Sequence, residues 1–399
     1  MKNNKLNSED IRYLIQNYQR HPITIVKGSG SWVYDSNGKK YLDFTTGIAV
    51  NNLGHNNPVI NSSIRKQLKK IVHTSNLFTV KEQIQFAKEL VESKPGYKVF
   101  FCNSGTEANE AAFKLARKWG VFNGGRNKII SVTGAFHGRT FGSLSATSPK
   151  KYREGFYPLV SGFKSVAFND IGKLKEIVKK DKKIVAMILE PIQGEAGVKF
   201  ANARYLKEVE ALCKKKKILL ILDEIQVGLG RTGKIYCHEH YKINPDIICL
   251  AKGLGGGLPC GAIIANPKIA DFLTPGSHGT TMGGNPLAMS AGLSSFKQIK
   301  KKAFLKEVSK KGELFFNELK KFKKNKYVKD IRGLGLILAI EFKSRDIAKK
   351  FSDLCLQEGL LVILTEKFNI RILPPLNVKI SEIRQSIKIF NSIFVKING

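Results

Sequence analysis

Two charged side chains stand where apolar runs stop: ILLIL ends in Asp223, and PDIICLA ends in Lys252. A carboxylate emerging from a buried strand needs a cation or hydrogen-bond donor beside it, because a bare buried charge is costly. A protonated pyridine nitrogen is such a partner, and the aspartate keeps that nitrogen charged so that the ring can act as an electron sink. Lys252 is followed by GLGGG, backbone that does not crowd a planar ring, and a desolvated lysine suits Schiff-base chemistry. Taken singly, a lysine is ordinarily a surface residue and an aspartate ordinarily caps a turn. Their common placement at strand ends sets this pair apart.

Ser104-Gly105-Thr106-Glu107 follows the apolar run ending at Cys102 and opens a helix. Backbone N–H groups and hydroxyls at such a helix start form a phosphate cradle, although such a tetrapeptide by itself is more often an ordinary N-cap. Two other strings lead nowhere. GLGRTG from Gly228 has dinucleotide-loop spacing but no long helix after it and no acidic residue about 20 positions on. His238 and His240 at i, i+2 do not share a helical face, and HExxH is missing, so no metal is expected.

The elements that must position these residues can be read from periodicity. YKVFFCN, NKIISVTG, IVAMILEPI, ILLILDEIQ and PDIICLAKG alternate with helical segments such as Glu107 to Trp119. Continuous apolar strands between helices predict an α/β fold, with a mainly parallel sheet covered by helices on both faces. Sites on such sheets form at the carboxyl ends of the strands, where the polar residues here cluster. Upstream, SWVYDSNGKKYLDF carries a hairpin signal at Asn37-Gly38. Beyond about Leu287 come lysine-rich helices, the strands GLGLILAIEF and LLVIL, and a helix from about Ser381, an α+β texture.

Composition bounds the classes of function. A chain of 399 residues exceeds the usual limit of one core, so a large and a smaller domain are expected. No apolar run approaches the ~20 residues of a membrane span, and the first residues lack an apolar leader region and contain Glu9 and Asp10. A cytoplasmic enzyme with no membrane association is the expectation. The six cysteines are scattered and sit mostly in apolar runs, which predicts buried thiols rather than disulfides. The net charge of +35 is spread along the chain, and its dense lysine runs fall beside apolar residues at helical spacing. No nucleic-acid motif accompanies it, so a field that attracts anionic metabolites is the reading. A non-catalytic basic binding protein is the alternative of another class, and a cofactor absorption band would separate the two.

The motifs YLDFTTGIAVNNLGH from Tyr41, FFCNSGTEANEAAFKLAR from Phe100, AFHGRT from Ala135, EPIQGEAGV from Glu190, LDEIQVGLGRTG from Leu222, AKGLGGGLP from Ala251, HGTTMGGNPLA from His278 and IRGLGLI from Ile331 together resemble the class III, fold-type I aminotransferases. The resemblance runs from about Tyr18 to the last helix. It implies pyridoxal 5'-phosphate as cofactor and a homodimer with shared sites. It also implies a small domain built from both chain ends, with 1–45 and 286–399 flanking a large domain of 46–285. Lys252 then holds the cofactor and moves the proton, Asp223 pairs with the pyridine nitrogen, and Gln226 lies near the ring hydroxyl. Glu224 and Ile225 complete that cofactor-contacting segment. Ser104, Gly105 and Thr106 hold the phosphate together with Thr281 from the partner subunit, and Phe136 stacks on the ring.

On the substrate side the resemblance places Arg139 at the donor's carboxylate, Thr280 near it, and Arg371 at the α-carboxylate of glutamate or 2-oxoglutarate. Glu195 is expected to mask Arg371 while the donor reacts. Met282 departs from the aromatic residue common in the class. Ile48 stands where ornithine-specific relatives carry a tyrosine, which favours an acylated amine. The implied reaction is transfer of the δ-amino group of N2-acetyl-L-ornithine to 2-oxoglutarate, in arginine biosynthesis; ornithine, 4-aminobutyrate and succinyldiaminopimelate are the alternative donors.

Overall fold

The computed structural model describes residues 9–365 and 368–398. The chain opens with the antiparallel strands β1 (Ile25–Ser29), β2 (Trp32–Asp35) and β3 (Lys40–Asp43), the last two joined through the Asn37-Gly38 turn. It then builds β4 (Lys98–Cys102), β5 (Lys128–Val132), β6 (Phe163–Val166) and β7 (Ile184–Leu189). A two-stranded ladder follows, β8 (Ile192–Gln193) with β9 (Lys199–Phe200), and then β10 (Leu219–Asp223), β11 (Ile247–Leu250) and β12 (Gly261–Ala265). The central sheet has seven strands in the order β4-β12-β11-β10-β7-β5-β6. Its pairs from β6 to β11 are parallel, whereas β12 runs antiparallel to both neighbours. The sequence reading did not single out β6 or β12, two short runs with no polar landmark at their ends.

Both faces of this sheet are covered, which is why its strands read as unbroken apolar runs. Along β10, Leu219 and Ile221 pack with Ala108, Ala112 and Leu115 of the helix Gly105–Phe122. Leu220 and Leu222 point the other way, into Leu206 and Val209 of the helix Ala203–Lys216. The period of two puts Asp223 on the same face as Leu219 and Ile221, toward the helix that begins at Gly105.

A second sheet is formed by β13 (Val328–Leu334), β14 (Ile337–Phe342), β16 (Ile363–Leu364) and β17 (Asn369–Ile372), in the order β13-β14-β17-β16, all antiparallel. The short β15 (Leu360–Leu361) instead lies parallel to β3, so the two ends of the chain share a sheet. Phe44 and Phe315 meet at 5.8 Å in the core beneath. Ile370 and Ile372 of β17 enter that core, and alternation turns Asn369 and Arg371 to the opposite face, toward the central sheet. All six cysteines are buried and free, as their apolar settings predict. No helix among the described residues is long and apolar enough to cross a membrane.

Candidate active site

A cavity of ≈ 490 Å³ opens at the carboxyl ends of the central strands, lined among others by Ser104, Gly105, Thr106, Phe136, Asp223 and Lys252. Asp223, 3% exposed, forms its floor. One carboxylate oxygen accepts from Asn109 Nδ2 at 2.9 Å and His137 Nδ1 at 2.8 Å, and the other from the Ile225 N–H at 3.1 Å. Three donors fix the carboxylate's plane and satisfy its oxygens where little solvent reaches them.

Lys252 follows β11 in the left-handed backbone region, with φ +51, a conformation a non-glycine residue adopts only when its surroundings impose it. Its amine makes no hydrogen bond or ion pair with a described residue. Burial pushes its pKa below the ordinary lysine value, a drop that the charge of Glu195 partly offsets.

At the helix start, Ser104 accepts the Glu107 N–H at 3.3 Å, while the N–H groups of Gly105 and Thr106 have no partner among the described residues. Gly261 is required here, because a Cβ on it would collide with the Ser104 carbonyl oxygen. Phe136 forms one wall, its ring 5.5 Å from Tyr152, and the exposed Arg139 guanidinium lies over Tyr152 at 3.9 Å. Glu190 accepts the Phe136 N–H at 3.0 Å and the Gly194 N–H at 3.2 Å. Burial and the nearby charge of Asp223 raise its pKa to about 7.

Opposite, Arg371 is 1% exposed and donates through Nη1 to Glu195 at 2.7 Å and to Gln226 Oε1 at 3.0 Å. Its buried Nε has no partner among the described residues. Burial alone would raise the pKa of Glu195, but the charges of Arg371 and Lys252 outweigh it and hold the carboxyl below its ordinary value. The turn that carries Glu195 is clamped by Arg332, which donates to the Gly197 carbonyl at 3.1 and 2.8 Å and to Asn369 at 2.6 Å.

Of the residues singled out by sequence, Ser104, Gly105, Thr106, Phe136, Arg139, Glu195, Asp223, Ile225, Gln226 and Lys252 line one cavity, and Arg371 touches two of them. Glu224 does not join them. Its carboxylate is turned away and accepts the N–H groups of Cys237 and His238 at 2.5 and 2.8 Å. Thr280 sits at the rim, accepting from Asn103 at 3.0 Å, and Thr281 is exposed outside the cavity. Sequence reading assigned no role to Asn109, His137, Glu190 or Arg332. The spacing of Asn109 from Thr106, one helical turn on, was the available signal for the first. The others depend on contacts between distant segments.

The donor set fits one kind of guest. Two free N–H groups at a helix start suit a phosphate, the floor carboxylate suits a protonated ring nitrogen, and the unpaired amine suits a carbonyl carbon. These are the features of pyridoxal phosphate. The fold and this site define a pyridoxal-phosphate-dependent transaminase, and the chain belongs to the class-III aminotransferases, whose family model matches residues 13–394.

Within that class it is 46% identical to the acetylornithine aminotransferase of Caldanaerobacter subterraneus subsp. tengcongensis over 97% of this chain and 98% of the relative. It is also 46% identical to that of Methanocaldococcus jannaschii, over 97% of each. Among solved structures, the ornithine aminotransferase of Toxoplasma gondii superposes with TM-score 0.95 at 31% identity, covering 99% of this chain and 96% of the other. The acetylornithine aminotransferase of Elizabethkingia anophelis gives 0.88 at 32%, covering 99% of both.

Proposed function

We propose that the enzyme moves the δ-amino group of N2-acetyl-L-ornithine to 2-oxoglutarate, giving N-acetylglutamate 5-semialdehyde and glutamate. The observation that carries this reading is the closed pair between Glu195 and Arg371, set against the exposed Arg139 across the cavity. A donor whose amine lies several bonds from its carboxylate must be gripped at the farther cation, because capture at the nearer one would carry the amine past the reacting centre. Glu195 masks Arg371 while Arg139 holds the donor. In the second half-reaction the dicarboxylate of 2-oxoglutarate displaces Glu195 and takes both arginines, whose planar forks suit carboxylates. The spare Nε of Arg371 is a donor available to that carboxylate.

Bound pyridoxal phosphate supplies the electron sink of the reaction. On this reading Asp223 faces the ring nitrogen, oriented by Asn109 and His137, and Gln226 lies near the ring hydroxyl. Gly105 and Thr106 present their N–H groups to the phosphate, Ser104 caps the same helix start, Ile225 and Phe136 bound the ring, and Thr280 stands near the substrate. Lys252 takes the proton from the amine-bearing carbon of the substrate, a task that its lowered pKa favours.

The amino donor is argued from Ile48 and from the relatives. Ile48 is 44% exposed, and an apolar side chain offers the charged α-ammonium of ornithine no partner, whereas an acetylated nitrogen carries no charge to satisfy. The curated relatives at 46% identity are acetylornithine aminotransferases, whereas the ornithine aminotransferase of T. gondii shares 31%. Steady-state kinetics with acetylornithine, ornithine, 4-aminobutyrate and succinyldiaminopimelate tests the choice. The largest kcat/KM is expected for acetylornithine, and a larger one for ornithine would replace the reading with that activity.

We also propose that the enzyme works in the cytoplasm as a homodimer, its large domain spanning 46–285 and its small domain 1–45 with 286–399. The dimer is supported by Thr281, which lies outside its own cavity, and by the exposed Leu77, Phe78 and Met282. Thr281 of the partner subunit would then complete the phosphate site. Light scattering on the purified enzyme should give twice the 44.4 kDa of one chain.

A further inference from the structure

Beneath the loop that carries Phe136 and His137 lies a second cavity, ≈ 90 Å³, that shares no lining residue with the first. Five of its lining residues bear hydroxyls: Ser131, Ser145, Thr147, Ser148 and Ser165. Ser145 and Thr147 spend their protons on the carbonyls of Phe141, at 2.7 Å, and Ser143, at 3.0 Å. The hydroxyls of Ser131, Ser148 and Ser165 have no partner among the described residues, even though Ser131 is 3% exposed.

Arg153 lines the cavity. Its Nη2 donates to the Ser148 carbonyl at 3.0 Å, while its buried Nε has no partner and no described carboxylate pairs with its charge. The lining residue Lys164 is paired with Asp181 at 2.6 Å, but Asp181 is shared with Lys128 at 2.9 Å, so two ammonium groups already outweigh that carboxylate. The cavity therefore combines free hydroxyl donors with the guanidinium of a half-buried arginine whose charge no described carboxylate balances. Water can satisfy the hydroxyls but cannot neutralise the guanidinium.

We propose that this cavity binds one small inorganic anion, of halide or phosphate size, between Arg153 and the hydroxyls of Ser131, Ser148 and Ser165. Its volume of ≈ 90 Å³ has room for a few water molecules or one small anion, and the +35 charge of the chain raises the anion concentration around it. The site is tied to the active site through the backbone. Thr147 Oγ1 accepts the His137 N–H at 2.9 Å, and the Ser148 N–H donates to the Ala135 carbonyl at 2.9 Å. An anion held on Ser148 and Arg153 thus steadies the loop that presents His137 to Asp223 and forms the Phe136 wall.

The test uses the holoenzyme crystallised in sodium bromide, with data collected at the bromine edge. A bromide peak in the cavity beside the Arg153 guanidinium is expected, and it should be lost in Arg153→Gln while surface peaks persist. Water alone in the cavity, or a peak unchanged in that variant, overturns the proposal. In solution, replacing gluconate, which is larger than the proposed anions, by chloride or by inorganic phosphate at constant ionic strength should raise Tm along a saturating curve. The curve should flatten in Arg153→Gln and in the milder Ser131→Ala. Saturation by chloride alone identifies a halide site, saturation by phosphate at lower concentration identifies an oxyanion site, and identical flat responses in parent and variants overturn both.

Discussion

Arg371 donates to Glu195 at 2.7 Å although 176 positions separate them, and each comes from a different layer of the molecule. Arg371 lies on the face of β17 that turns toward the central sheet, and Glu195 sits on the turn between β8 and β9, just beyond that sheet. The two half-reactions should therefore respond differently to their removal. Glu195→Ala is expected to improve the half-reaction with glutamate relative to that with acetylornithine. Arg371→Ala should slow the 2-oxoglutarate half by ~10²-fold or more, the scale of an unpaired buried charge contact, and largely spare the donor half. Single-turnover absorbance changes measure each half alone, and equal losses in both halves for both variants would show that no such switch operates.

Among the described residues that line the cavity Lys252 is the one amine, unpaired and with its pKa depressed by burial. Lys252→Ala should still bind pyridoxal phosphate through the N–H groups at Gly105 and Thr106, but lose turnover by at least ~10²- to 10⁴-fold. Borohydride should no longer fix the cofactor to the chain, as mass spectrometry would show. Turnover near that of the parent would remove Lys252 from the chemistry.

Arg332 reaches Gly197 on the turn of Glu195 and Asn369 on the strand of Arg371, while Asp330 and Glu341, at 2.9 and 2.6 Å, hold its other nitrogen. It acts as a positioning residue for the pair. Arg332→Gln should raise KM for 2-oxoglutarate several-fold with a smaller change in kcat, and Arg332→Lys should recover part of the loss. A lowered Tm with KM values unchanged would mean that the clamp serves stability alone.

Glu190 gives a prediction in pH. Burial, reinforced by the charge of Asp223, raises its pKa from 4.5 to about 7 in the folded chain. Between those values the native state holds a proton that the unfolded chain has released, so stability falls as pH rises across the window, and the loss is complete above it. Glu190→Gln cannot titrate. Its absolute stability should drop, because an amide nitrogen then faces the N–H of Phe136 or Gly194. The Tm gap to the parent should nevertheless narrow by a few degrees between pH 5 and pH 8, given roughly 1–2 °C per kcal/mol for a chain of 399 residues. A gap that stays constant or widens would show that Glu190 titrates near its ordinary value.

Much of this protein was written in its local sequence. Apolar runs flanked by helices made the covered sheet legible, since strands buried on both faces cannot alternate. Asp223, Lys252 and the Ser104–Thr106 helix start could be placed together because an open α/β sheet gathers its strand ends along one edge. Only the tertiary structure decided what each side chain does there. Asp223 and Glu224 are neighbours, yet strand alternation sends the first into the cavity and the second to Cys237 and His238. Two of the three donors that orient Asp223, Asn109 and His137, come from a helix and a loop elsewhere in the chain. The same holds for Arg332, Asn369 and Gly197, and for Arg153 beside Ser131. Periodicity reports which face a residue takes, because that is set by its own backbone. Which group it meets on that face is set by how separate elements pack, and short-range pattern carries no record of that.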